Sequence, residues 1–312
     1  MSNLTFNPQS FGRVAVLMGG RSAEREISLK SGRAVLAALQ SLGVEAVEID
    51  VNKNVSEQLY QGEFDRAFII LHGRGGEDGE IQGVLQSLQI PYTGSNITGA
   101  VLSMNKRLSK QIWQSQGLST PKYVRLNRQS NTQQIVDTLG LPLVIKPVNE
   151  GSSIGMSKVT TAEALQQAIR LAFDYDDEVI AEQWVQGAEY TVSILNGEAL
   201  PVIRLTTPRE FYDFEAKYLA DTTEYLCPCG LTEDGEKRCQ QLAIDAFSAL
   251  NMTGWGRIDV MADQQGKFFL LEANSVPGMT DHSLVPMAAK QAGISFENLV
   301  GQILQGSLED VS

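Results

Sequence analysis

Residues 146–155 read KPVNEGSSIG, a lysine followed by two small-residue turns, directly behind the apolar run LPLVI (141–145) and ahead of MSKV (156–159). Glycine-serine loops behind strands often hold phosphate, so the type of loop decides the fold. The P-loop spacing G-x-x-x-x-G-K-[ST] is absent, because Gly151 and Gly155 lie one residue too close together and no Gly-Lys-Ser or Gly-Lys-Thr follows. MSKV reads instead as a second strand, which puts Lys146 ahead of the loop on one arm of a hairpin. There the lysine, as a point charge, and the backbone N–H groups of 151–155, as a nest, can grip phosphate from two sides. An ordinary turn has the same composition, so a second feature must carry the argument.

That feature is the hairpin WGRIDVMADQQGKFFLLEANS (255–275). Strand side chains alternate between faces, so Arg257 and Asp259 share one face, as do Glu272 and Asn274. A turn at DQQG sets Asp259 opposite residues near 271 and brings the four polar groups together. Two carboxylates and an amide oxygen are hard ligands, suited to Mg²⁺ held jointly with nucleotide phosphates. The competing reading is the solvated face of an edge hairpin, which VPGM at 276–279 makes an odd continuation.

Outward from these hairpins, RVAVLM (13–18), VEAVEI (44–49) and RAFIILH (66–72) read as strands. The segments between them read as helices, with Val35, Leu36, Leu39 and Leu42 at helical spacing. This alternation predicts a small α/β unit on a parallel sheet over 1–104. From 105 to 186, a basic helix, the strand KYVRL, an amphipathic helix, the phosphate hairpin, another helix and EVIAEQWV predict an α+β unit on an antiparallel sheet. A third unit, 187–312, holds the second hairpin, a polar stretch at 206–224 read as a lid, and two C-terminal helices.

The chain has 312 residues, with 25 Lys+Arg against 37 Asp+Glu, a net charge of -12. With no basic run, neither nucleic acid nor an anionic membrane is an expected partner. No stretch approaches the roughly 18 apolar residues of a membrane span, and MSNLTFNPQSFGR has no apolar leader, so a cytoplasmic address is expected. Cys227, Cys229 and Cys239 read as free thiols, since CPCG with His72 and His282 falls short of a zinc site. A nicotinamide enzyme is excluded by spacing, because Gly19 and Gly20 are adjacent with no third glycine before Gly32.

The two hairpins, separated by VIAEQWV, resemble the ATP-grasp arrangement of two α+β subdomains with ATP between them. GGRSAEREIS, LHGRGGEDGEIQG, PYTGS, EGSSIGMSKV, FYDFEAKY, GWGRIDVM and LEANSVPGMTDHSLVP together resemble the D-alanine:D-alanine ligase family, from about residue 13 to the last helix. The resemblance implies ATP-dependent joining of two D-alanines through a D-alanyl phosphate, for peptidoglycan precursors, by a cytoplasmic homodimer. It implies Mg²⁺ or Mn²⁺, two per active site, on Asp259, Glu272 and Asn274, with Lys106, Lys146, Ser152 and Lys217 on the phosphates. Glu182, Gln183 and Val185 would form the adenine hinge and Glu189 would meet the ribose. Glu24, with Ser152 and Tyr218, would anchor the first D-alanine near His72. Arg257 and the N–H of Gly278 would stabilise the oxyanion, and Ser283 and Leu284 would take the second substrate's carboxylate. Phe214, the extra cysteine in CPCG (227–230) and Asp281 depart from the family's usual residues without removing a ligand. Two rivals remain: a D-alanine:D-lactate ligase, which in the family carries phenylalanine where Tyr218 stands, and a non-catalytic nucleotide-binding protein on the same fold.

Overall fold

Val14 to Met18 are wholly buried at the centre of a three-stranded parallel sheet in the computed structural model, which describes residues 6–206, 223–280 and 282–308. β1 (Arg13–Gly19) pairs with β2 (Glu45–Val51) on one side and β3 (Arg66–Ile69) on the other. A strand covered on both faces tolerates no polar alternation, which is why this run is continuous in the sequence. α1 (Arg25–Ser41) covers the sheet with Val35, Ala38 and Leu39, and α2 (Val55–Gln61) returns the chain to β3. Two further helices, α3 (Glu80–Ser87) and α4 (Ile97–Met104), carry no sequence expectation above.

Next comes α5 (Lys106–Ser115), whose N-cap Asn105 accepts from Leu108 N at 2.9 Å through its side chain. The central sheet is antiparallel, ordered β4 (Tyr123–Leu126), β7 (Val179–Gln183), β5 (Leu143–Pro147), β6 (Ser157–Val159). The expected phosphate hairpin is β5–β6, with Leu143 opposite Val159 and Ile145 opposite Ser157. α6 (Thr132–Leu139) and α7 (Ala162–Ala172) bury their apolar stripes against it.

The last sheet runs β11 (Glu224–Leu226), β10 (Ile203–Thr206), β8 (Gly187–Leu195), β12 (Trp255–Asp263), β13 (Phe268–Asn274), with β9 (Glu198–Ala199) on β8. β10 and β11 pair Thr206 with Glu224, so the polar stretch expected to act as a lid begins and ends on adjacent strands. Lys217, Tyr218 and Phe214 lie within 207–222, and these, like Asp281, are outside the described residues. α8 (Glu233–Ala249), α9 (Leu284–Gln291) and α10 (Phe296–Gly306) complete the chain.

Three apolar clusters result, and three helices pack away from their sequence neighbours. Trp113 of α5 is buried with Ile258 and Leu270 of the last sheet, and its indole N–H donates to Ala246 O at 3.0 Å. Leu284, Leu299, Val300 and Ile303 of the two C-terminal helices join the core of the N-terminal sheet. The central unit keeps its own cluster, from Leu126 to Ala181. Among the described residues no helix is long and apolar enough to cross a membrane.

Candidate active site

The β12–β13 register departs by one residue from a simple hairpin, and the departure builds the site. From the turn, Ala262 faces Phe268 and Val260 faces Leu270; continued unchanged, that register would set Leu271 opposite Asp259 and turn Glu272 to the other face. A bulge between Asp259 and Val260 passes over Leu271, so Asp259 pairs with Glu272 and Arg257 with Asn274. Directly paired residues share a face, and bulges commonly re-aim side chains at active sites. Arg257 grips Asp259 bidentately, Nε to Oδ1 and Nη2 to Oδ2 at 2.8 Å each. Thr191 Oγ1 donates to Asp259 Oδ1 at 2.7 Å and Asn274 Nδ2 to Oδ2 at 3.1 Å, which turns the Asn274 carbonyl away from Asp259.

Glu272 meets Lys106 Nζ at 3.3 Å, and the same ammonium donates to the Glu150 carbonyl at 2.7 Å, tying α5 to the β5–β6 loop. Each carboxylate of the pair is thus neutralised by a protein cation. No group of three His, Cys, Asp or Glu side chains able to hold a metal occurs among the described residues. The donor set of two carboxylates and an amide oxygen fits Mg²⁺ only if phosphate oxygens complete its octahedron.

Lys146 and Glu182 lie side by side on β5 and β7. Glu182 is 1% exposed, accepts from Lys146 Nζ at 3.0 Å and meets Lys110 Nζ at 2.7 Å. Burial pushes the Glu182 carboxyl up, but the two ammoniums outweigh it and hold it below its ordinary range. Lys110, which sequence reasoning missed, also donates to Thr120 Oγ1 at 2.8 Å, and burial pulls it down to about 8. The Glu182 side chain is therefore committed to lysines; Gln183, Val185 and Phe269 line an open depression of 230 Å³ beside it, and Glu189 is half-buried on β8.

In the loop between β5 and β6, Ser152, Ser153 and Gly155 all hold positive φ, at 53°, 59° and 69°. A Cβ on Gly155 would lie 2.7 Å from Tyr175 Cδ2 and 2.9 Å from Pro147 Cγ, so only glycine suits both backbone and space. Ser152 Oγ donates to Glu24 Oε1, joining the loop to the start of α1. His72 and Glu77 both lie close enough to feel the Glu24 charge. Ser283 caps the 280–283 turn, accepting from Thr280 N at 2.9 Å, while Leu284 is buried in the core shared with the N-terminal sheet.

These features occur in a chain whose residues 48–95 match the D-ala D-ala ligase N-terminus model and residues 112–305 the C-terminus model. The chain is 58% identical over 301 residues to the D-alanine–D-alanine ligase of Nitrosococcus oceani, covering 96% of this chain and 95% of that protein. The chain belongs to the D-alanine–D-alanine ligase family. The crystal structure of the Bacillus anthracis ligase superposes with TM-score 0.85 at 35% identity, covering 95% of this chain and 97% of that one. The same enzyme complexed with ATP gives 0.84 at 33% identity, with the same coverage.

Glu77 was not singled out from the ligase motif LHGRGGEDGEIQG, because a buried carboxylate looks like any surface charge in a sequence. Burial, then the neighbouring Glu24 charge, push its carboxyl up to about 7, against the pull of the Gly73 and Val276 N–H groups. A folded-state value above the ordinary 4.5 means the native ligase binds more protons between those limits. This contribution to stability is full below about pH 4.5 and is lost as pH rises through 7. Thermal melts from pH 5 to 8 should therefore slope downward in the parent and less steeply in Glu77→Gln; equal slopes refute the assignment. In the phosphate loop, Gly155→Val should raise KM for ATP about tenfold while KM for D-alanine changes little. Unchanged ATP kinetics would make the loop an ordinary turn.

Proposed function

We infer that this ligase uses ATP to convert the carboxylate of one D-alanine into an acyl phosphate, which the amine of a second D-alanine attacks, releasing phosphate and forming D-alanyl-D-alanine. The observation that carries the reading is the bulged hairpin, whose carboxylates, amide and arginine lie on one face in a family member. Phosphoryl transfer needs cations and alignment more than covalent chemistry, and Lys106, Lys146 and Lys217 would supply the charge. Asp259, Glu272 and Asn274 would hold Mg²⁺ or Mn²⁺, two ions in all, which when bound neutralise phosphate charge.

The remaining steps belong to the chain's own groups. Glu24, already accepting from Ser152, has a second oxygen for the ammonium of the first D-alanine, and Tyr218 would complete that trio. Gln183, Val185 and Glu189 would receive the nucleoside. Attack on the acyl phosphate places negative charge on the former carbonyl oxygen, where the Arg257 guanidinium and the Gly278 N–H would receive it. Ser283 and the Leu284 backbone at the start of α9 would hold the second carboxylate. The same reading makes the protein a cytoplasmic homodimer serving peptidoglycan precursor synthesis.

The test is product analysis with ATP and Mg²⁺, supplying D-alanine alone, D-alanine with equimolar D-lactate, or neither. D-alanyl-D-alanine with stoichiometric ADP in the first two mixtures is expected. Mostly ester in the mixed reaction would assign a D-lactate ligase, and no ADP in any mixture would assign a non-catalytic protein.

A further inference from the structure

His72 lies three residues past the end of β3, close enough to feel the Glu24 charge, but its hydrogen bonds go to another part of the chain. Nδ1 lies 2.8 Å from Val276 O and Nε2 lies 3.3 Å from Ser31 Oγ. A carbonyl only accepts, so Nδ1 carries the proton. Burial holds the ring below its ordinary pKa and hence neutral, so Nε2 accepts from the Ser31 hydroxyl. Ser31 Oγ in turn accepts from Met279 N at 3.2 Å, and Glu77 Oε1 accepts from Val276 N at 3.0 Å.

Val276 is therefore held through both its backbone groups and Met279 through its N–H, all by side chains of the N-terminal unit, of which Ser31 and His72 are buried and Glu77 half-buried. Between these anchors lie only Pro277, whose ring fixes φ, and Gly278. On the far side Thr280 N is held by Ser283 Oγ at 2.9 Å.

We propose that Ser31, His72 and Glu77 are positioning residues that fix the Gly278 N–H against the developing oxyanion, and that His72 does not itself contact substrate. This rests on the ligase reading and on Gly278 as oxyanion donor. Loss of one such donor typically costs about 10²- to 10³-fold, and displacement of a reacting group by about 1 Å costs about 10²-fold. A loosened clamp should therefore slow amide formation, in which the oxyanion forms, and spare acyl phosphate formation. A purely structural or substrate-binding role would slow both steps.

Rapid-quench single turnovers of the full chain, following ADP and dipeptide separately, read the two steps. In His72→Leu the dipeptide rate should fall about 30-fold or more while ADP formation stays within about threefold of the parent. His72→Asn should recover most of the loss, since its amide N–H can occupy the place of Nδ1–H, whereas His72→Gln, which reaches toward the Nε2 position, should not. Ser31→Ala, which removes a single hydroxyl, guards against a folding defect and should show the same split at about five- to tenfold. Parallel losses in both steps, no loss in either, or rescue by Gln but not Asn would overturn the proposal. Absence of ADP formation in the parent would instead sink the ligase reading.

Discussion

Asp259→Asn is expected to lower dipeptide formation about a thousandfold or more while the chain stays folded. The substitution keeps the shape and one acceptor oxygen, so Thr191 and Arg257 Nε retain a partner. It replaces the other oxygen with an amide nitrogen facing two donors, Arg257 Nη2 and Asn274 Nδ2. It also removes one of two anionic donors from a site that would neutralise phosphate charge, a contribution of several kcal/mol, and each 1.36 kcal/mol is tenfold in rate. The guanidinium would lose its bidentate hold at the same time. Arg257→Lys separates the two effects, since it abolishes the bidentate pair but leaves the carboxylate. Steady-state ADP release with saturating D-alanine and Mg²⁺, alongside a thermal melt, checks the expectation; activity within tenfold of the parent removes Asp259 from the metal site.

Glu182→Gln should cost stability before it costs anything else. It leaves Lys110 and Lys146 facing each other across a neutral amide in a site where the lysine side chains are 0% and 7% exposed. Removing one partner from a buried ion group typically costs about 3–5 kcal/mol. In the parent, Lys110 titrates at about 8, below its ordinary 10.5, so the unfolded chain binds more protons between those limits and Lys110 makes stability rise with pH there. Without Glu182 that window opens at lower pH, because a buried ammonium without its carboxylate sheds its proton sooner. The deficit of the variant should thus shrink between pH 7 and pH 9, as urea midpoints at the two values would read. A deficit under about 1 kcal/mol at pH 7, or one that grows with pH, contradicts this account.

Alternation along β12 was enough to put Arg257 and Asp259 on one face, and the glycine-serine composition of 150–157 was enough to make β5–β6 a hairpin. Period and turn chemistry act locally, so they leave a trace in sequence. The bulge at Leu271 leaves none: counting back from the turn sets Asp259 opposite 271, and only the three-dimensional register shows that Glu272 takes that place. Lys110 and Glu77 were illegible for a related reason. Their burial depends on segments about 70 and 200 residues away, Glu182 and Val276, and a charged residue in sequence carries no sign of whether its partner is water or protein. The resemblance puts Glu182 at the adenine hinge; that its side chain also lies between two lysines has no counterpart in the sequence pattern. The C-terminal helices are amphipathic in sequence, but nothing in their pattern says that their apolar stripe meets the N-terminal sheet.

Because the C-terminal helices share a core with the N-terminal sheet while the central sheet keeps its own, charged contacts weigh heavily in how the central sheet and its 148–155 loop meet the N-terminal unit and α5. They include Arg74 to Glu150 at 2.7 Å, Lys106 to the Glu150 carbonyl, Arg107 to Glu178 at 2.6 Å, and the buried Lys110–Glu182 pair, beside the Ser152 to Glu24 hydrogen bond. Ionic strength thereby acts on the cleft selectively. Added salt screens the half-exposed Arg74–Glu150 contact, while the Lys110–Glu182 pair, sealed from solvent, scarcely feels it. The central sheet should consequently loosen at its Arg74 edge before it loosens at Glu182, so that the salt around the molecule sets the order in which these contacts give way.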